Sequence, residues 1–221
     1  MRKIDPKKSA LIIQDLQNDT ITKGGAWGDL AADHATSQKV VANARALAAG
    51  ARDKGMPVIH VWYVVEKGAV GQKQNAPLFQ SVKSANGLVR GTWGAAPAKG
   101  LEPKRGDFVV EKQRMNAFYS TNLDNLLRGL GVEKVVISGA WTNMSIEHTA
   151  RHAADAGYEV VVVSDATSTI NDEWQHAALN YALTNVGEVG TTQEVLAALG
   201  VRAPARRKAA GRRSAAAARR R

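Results

Sequence analysis

Lys134-Val-Val-Ile-Ser138, followed by Gly139-Ala-Trp-Thr-Asn143 and by a segment running from Met144 to Ala156, reads as a strand, a turn and a helix in direct succession. Gly157 stops the helix, and Glu159-Val-Val-Val-Val-Ser164 follows at once as another strand. A strand, a helix and a strand in that order form a parallel pair joined by a right-handed crossover.

The alternation continues upstream. Ala10-Leu-Ile-Ile13 is a short strand that runs into Gln14-Asp-Leu-Gln-Asn-Asp19. Residues 34–54 read as one helix, because Val40, Val41, Ala44, Leu47 and Ala48 recur at spacings of three and four; Gly55 ends it. Pro57 to Val65 is apolar nearly throughout, as a strand covered on both faces is. Residues 66–106, rich in Gly, Lys, Gln, Asn and Pro, form a long connection of the kind that often carries binding residues. Asp107-Phe-Val-Val-Glu111 is the third strand, and Thr121 to Gly129 a short helix with Leu123, Leu126 and Leu127 inward. Downstream come a helix over 171–184 capped by Asn171, a short sixth strand over 186–190, and a helix over 191–199 capped by Thr191 or Thr192. The pattern predicts an α/β fold: a three-layer α/β/α Rossmann-like arrangement with a mainly parallel six-stranded sheet. Ligands bind such sheets beyond the carboxyl ends of the strands, where Asp15, Lys112 and the 139–145 turn all fall.

The length of 221 residues fits one domain, expected over 1–201. No apolar run approaches the roughly 18 residues that cross a bilayer, and Met1 to Pro6 shows no apolar leader, so a cytoplasmic setting without membrane contact is expected. There is no cysteine, which excludes disulfides, thiolate metal sites and a cysteine nucleophile. The net charge of +10 sits at one end. Residues 202–221 hold eight Arg and one Lys with no acid, leaving 21 basic against 20 acidic residues in 1–201. This segment of Ala, Arg, Pro and Gly lacks apolar mass, and a basic disordered tail is expected there, with a weak, salt-sensitive polyanion contact as its functional reading.

Three segments together resemble the isochorismatase-like superfamily, whose cysteine hydrolase branch includes nicotinamidase, N-carbamoylsarcosine amidohydrolase, ureidoacrylate amidohydrolase and biuret hydrolase. They are Leu11-Ile-Ile-Gln-Asp-Leu-Gln-Asn-Asp19, Val110-Glu-Lys-Gln-Arg-Met-Asn-Ala-Phe118 and Ser138-Gly-Ala-Trp-Thr-Asn-Met-Ser-Ile-Glu147. Each is weakly specific alone; in order, each at a strand end, they are strongly specific. The resemblance covers roughly residues 8–199. It implies a triad of Asp15, Lys112 and the residue at 145, an oxyanion hole made by the backbone N–H groups of Trp141 and Ser145, a cis peptide between Ala140 and Trp141, and a homodimer or homotetramer.

The departure is at the nucleophile, where the branch has Cys and this chain has Ser145. A thiolate at a helix start beside an ammonium is easily formed, whereas a serine hydroxyl is far less acidic. Asp15 would have to take its proton during attack. Three readings stay open: a Cys→Ser replacement at an otherwise intact site, a serine or Asp15-activated water that works natively as in the isochorismatases, and a site that binds without turnover. The resulting expectation is a metal-free, cofactor-free hydrolase of a C–N bond in a small amide, ureide or carbamoyl compound. Its rivals are isochorismatase-type ether hydrolysis using Asp15 and a noncatalytic binding protein.

Substrate contacts are expected from Gln17, Trp27, Asn116, Phe118, Tyr119 and Trp141, each with a plainer alternative: Gln17 as a turn residue, Phe118 as core, Trp141 as a subunit contact. Thr142 and Asn143 read as turn chemistry, and His60 as a core histidine. The segment after the second strand, Val61 to Lys67, lacks the Asp-x-His-type ligands by which nicotinamidases hold a metal.

Overall fold

A computed structural model of the chain describes residues 1–201; the tail expected at 202–221 lies outside the described residues. Six strands, β1 (Ser9–Gln14), β2 (Val58–Tyr63), β3 (Phe108–Lys112), β4 (Lys134–Ala140), β5 (Glu159–Ser168) and β6 (Glu188–Gly190), form one sheet in the order β3-β2-β1-β4-β5-β6. Every neighbouring pair is parallel. The helices are α1 (Asn18–Ile21), α2 (Gly28–Ser37), α3 (Val40–Asp53), α4 (Pro77–Ser84), α5 (Leu123–Gly129), α6 (Glu147–Asp155), α7 (Asp172–Ala177) and α8 (Thr192–Ala198).

Alternate residues of each central strand point to opposite faces, and each face has its own core. Leu11, Ile13, Val136, Val161 and Val163 pack on Val40, Ala44, Leu47 and Ala51 of α3 and Val195 of α8. Ala10, Ile12, Val135, Ile137, Val160 and Val162 pack on Leu123 and Leu127 of α5 and on Ala150 and Ala153 of α6. This double covering is why the strands read as unbroken apolar runs, and it makes the fold the expected three-layer α/β/α arrangement.

Several boundaries differ from the sequence reading. The helix expected over 34–54 is two, α2 and α3, broken at Lys39 with φ 56°. The break is held from a distance: the Asn43 amide donates to the carbonyls of Gln38 and Asp165. The connection over 66–106 contains α4, with Pro77 in its first turn. β5 runs four residues beyond Ser164 because Thr167 and Ser168 pair with Gly139 and Ala140 after a register shift. The helix expected over 171–184 is α only to Ala177, then a π turn over 178–182 and a 3-10 turn over 183–185; Asn171 does cap it, accepting from the Trp174 N–H. Among the described residues no helix is long and apolar enough to cross a membrane.

His60 is buried on β2, its Nε2 3.0 Å from Asp107 Oδ2. Arg52 of α3 grips the same carboxylate. Burial pushes Asp107 up, but hydrogen bonds from Arg52, the Lys104 backbone N–H and His60 outweigh it and leave its pKa at about 2. Burial also lowers His60, which therefore stays neutral and donates its Nε2 proton.

Candidate active site

β2 and β3 lie on one side of β1, and β4 to β6 on the other. The order of connection therefore reverses between β1 and β4, and a crevice opens beyond their carboxyl ends. Asp15 directly follows β1, its N–H donating to the Val61 carbonyl and its φ at 55°. The chain leaves the strand here in a left-handed turn, which Asp tolerates better than most residues. Gly139 faces β1 at the same level, paired with Gln14. Its φ is 143°, and a Cβ there would lie 2.0 Å from the Gln14 carbonyl oxygen, so only glycine lets β4 approach this closely.

Lys112 ends β3, two strands away from β1, which at ordinary spacing is roughly 9–10 Å. Only a long side chain bridges that gap. The lysine crosses the end of β2, its ammonium 4.5 Å from the centre of the Tyr63 ring, and reaches Asp15 Oδ2 at 2.8 Å. It also donates to the Arg114 carbonyl at 2.8 Å. Both charged side chains are fully shielded from solvent, 0% and 3% exposed, which makes this an internal ion pair. Burial raises the Asp15 pKa above its ordinary value, against Lys112, Ser145 and Gln14, which favour the charged form. Burial lowers Lys112, against the pull of Asp15. Burial likewise holds the Tyr63 phenol up, so it is neutral.

After β4 the Ala140–Trp141 peptide is cis, and residues 142–146 form a π turn that leads into α6. The Trp141 carbonyl accepts from the N–H groups of Met144 and Ile146. Thr142 Oγ1 donates to Gln175 Oε1, and Asn143 Oδ1 accepts from Thr169 Oγ1, both at 2.6 Å, so these two side chains fix the turn. Ser145 sits on it, buried, beside Asp15, whose buried Oδ1 has no hydrogen-bond partner among the described residues.

Two groups that escaped the sequence reading complete the frame. Gln14 Nε2 donates to the Ser145 carbonyl at 3.1 Å and to the Met115 carbonyl at 3.2 Å, pinning the turn after β4 to the segment after β3. Tyr63 lies under the Lys112 ammonium. A polar residue at the end of an otherwise apolar strand was the available signal for Gln14.

Asp15, Ser145 and Trp141 line one pocket of about 60 Å³. Its other walls are Thr20, Trp27, Tyr63, Leu78, Val82, Leu88, Ala140 and Met144. Trp27 is held by a 2.8 Å bond from its indole N–H to Ser81 Oγ of α4. A Cβ on Gly87 would meet the Trp27 ring at 2.7 Å, so the bare backbone there makes room for the indole. Trp141 donates its indole N–H to the Thr20 carbonyl at 2.9 Å.

The other four expected substrate contacts lie outside this pocket. Gln17 is completely buried, and its amide is engaged by the backbone of Tyr63 and by the Ala95 carbonyl. Asn116 meets His152 Nδ1 and accepts from the Phe118 N–H. Phe118 stacks on His152 with ring centres 4.7 Å apart and belongs to the core. Tyr119, exposed, lines a separate polar cleft with Arg90 and Arg114. For the last three the reason is shared: the chain turns away after Lys112, so nearness in sequence does not become nearness to the pocket. Among the described residues, no three His, Asp or Glu side chains gather where a metal ion could be held.

An isochorismatase domain model matches residues 9–194. A cysteine hydrolase from Pseudomonas syringae pv. phaseolicola is similar in structure, with a TM-score of 0.81 and 25% identity over 90% of this chain and 96% of that one. An isochorismatase family protein from Burkholderia thailandensis shares 32% identity over 90% and 99% of the two chains, with a TM-score of 0.76. N-carbamoylsarcosine amidase from Thermoplasma acidophilum is similar at 27% identity over 84% and 96%, with a TM-score of 0.66.

Proposed function

This chain belongs to the isochorismatase family, and we propose that it hydrolyses the C–N bond of a small amide, ureide or carbamoyl compound through Asp15, Lys112 and Ser145. The observation that carries the proposal is the shielded 2.8 Å ion pair between Asp15 and Lys112, whose Asp15 lines one pocket with Ser145 at the switch between β1 and β4. Likeness to a cysteine hydrolase and to N-carbamoylsarcosine amidase supports the choice of bond.

In the proposed reaction Ser145 Oγ attacks the carbonyl carbon while its proton passes to Asp15. The backbone N–H groups of Trp141 and Ser145 stabilise the oxyanion. The C–N bond breaks as Asp15 returns the proton to the departing nitrogen, and ammonia or an amine leaves. Water, deprotonated by Asp15, then cleaves the ester on Ser145 and restores both groups. Lys112 keeps Asp15 ionised despite its burial, and the raised pKa makes that carboxylate a stronger base. Ser145 makes acyl transfer slow, because its hydroxyl is much less acidic than a thiol.

The test is ammonia release from a panel of amides. Ser145→Cys is expected to raise the rate well above that of the parent chain, and Asp15→Asn to lower it by roughly 10²–10⁴-fold. Ser145→Cys protein that hydrolyses no amide would end the proposal. One observation favours a second reading: a carboxyl with a raised pKa can also protonate a vinyl ether without covalent catalysis. That reading requires Ser145→Ala to remain active on the ether while Asp15→Asn does not.

A further inference from the structure

The pocket is walled mainly by apolar groups: the indoles of Trp27 and Trp141 with leucine, valine, alanine and methionine side chains surround the polar Asp15, Ser145, Thr20 and Tyr63. The indole N–H groups and the Thr20 hydroxyl of the wall are already engaged as donors. The Trp27 N–H goes to Ser81 Oγ and the Trp141 N–H to the Thr20 carbonyl. The single Thr20 Oγ1 proton is shared between the Asp15 and Gln17 carbonyls, and the Tyr63 hydroxyl, which accepts from Gln72, keeps its own proton to donate. The nearest cation, Lys112, is tied to Asp15 and to the Arg114 carbonyl. A charged or urea-like group set against the indoles would lose its water and find a single wall hydroxyl, that of Tyr63, to donate to it. The space of about 60 Å³ is also small beside the roughly 300–1,000 Å³ of pockets for drug-sized ligands.

We infer that the site takes an uncharged amide with a compact apolar body, held between the indoles of Trp27 and Trp141 with its carbonyl at Ser145. This rests on the hydrolase reading above and narrows its substrate class. It sets aside polar ureides and dicarboxylates such as isochorismate. Leu78 and Val82 put α4 over the body of the substrate, and the Trp27–Ser81 bond fixes that helix against the pocket. α4 is held on its other side by Arg114, whose guanidinium lies 4.1 Å from the centre of the Phe79 ring. These residues are specificity determinants rather than catalytic ones.

Binding separates this inference from the reaction, because Ser145 makes acyl transfer in the parent chain slow enough to titrate it faster than it turns over. Benzamide, isobutyramide, succinamate and biuret are titrated calorimetrically into the full chain, and ammonia release from the same four is measured with Ser145→Cys. Benzamide and isobutyramide are expected to bind about tenfold or more tightly than succinamate and biuret. Leu78→Arg, at a half-buried position, is expected to narrow or reverse the gap between isobutyramide and succinamate. Its fold is checked by thermal unfolding. Equal or tighter binding of biuret or succinamate to the parent chain overturns the inference. If Ser145→Cys then releases ammonia from those two, the hydrolase reading survives alone. No binding of any apolar amide at millimolar concentration also overturns it. Tight apolar binding with no ammonia from any compound leaves the pocket inference standing and ends the hydrolase reading.

Discussion

Asp15, Lys112 and Gln14 carry most of the chemistry proposed for this site. Burial pushes Asp15 above its ordinary 3.8 and Lys112 below its ordinary 10.5, each against the pull of the other 2.8 Å away. Base catalysis needs Asp15 charged, and its raised pKa moves the acid limb of activity upward. The kcat/KM of the parent chain is therefore expected to fall on acidification at a pH above 3.8, and Asp15→Asn to remove that limb. Gln14 acts one step away. Gln14→Leu removes its bonds to the carbonyls of Ser145 and Met115. Loss of that anchor is expected to lower kcat by roughly 10–100-fold with little change in KM, read from steady-state kinetics on protein of unchanged circular dichroism.

At the scale of elements, the edge formed by β2 and β3 depends on a charged contact that apolar patterning does not reveal. Asp107 ties Arg52 of α3 to His60 of β2 just before β3 begins. Its folded pKa of about 2 lies below the ordinary 3.8, so its contribution to stability is complete above pH 3.8 and is lost as pH falls toward 2. His60 acts in the same direction. Its folded pKa is lowered, so the unfolded chain takes up the proton first as pH drops through the ordinary 6.5. Asp107→Asn is expected to cost about 1–3 kcal/mol at pH 7 and to flatten the loss of stability between pH 4 and 2, as urea unfolding at a series of pH values would show. The elements misplaced in the sequence reading share one cause. The break at Lys39, the extension of β5 and the π turn over 178–182 come from partners far along the chain or from local backbone geometry that side-chain periodicity does not encode.

Across the whole molecule, charge and fold are separate matters. The described body is nearly neutral, and the excess of positive charge lies in residues 202–221. We propose that any polyanion contact belongs to that segment. Its deletion is expected to abolish retention on a heparin column at low salt while leaving amide hydrolysis by Ser145→Cys unchanged. The alternation of apolar runs and amphipathic stretches determined the layered α/β fold from sequence alone, because a strand covered on both faces has no other composition open to it. The three motifs at strand ends marked Asp15, Lys112 and Ser145 for the same reason: parallel topology delivers strand ends to one rim. Only the tertiary structure decided which side chains wall the pocket. Trp27, Leu78, Val82 and Leu88 arrive from the long connections, whereas Asn116, Phe118 and Tyr119, close to Lys112 in sequence, turn away. Periodicity reports which face of an element is buried, and a pocket wall is set by how loops pack on one another, which no local pattern records.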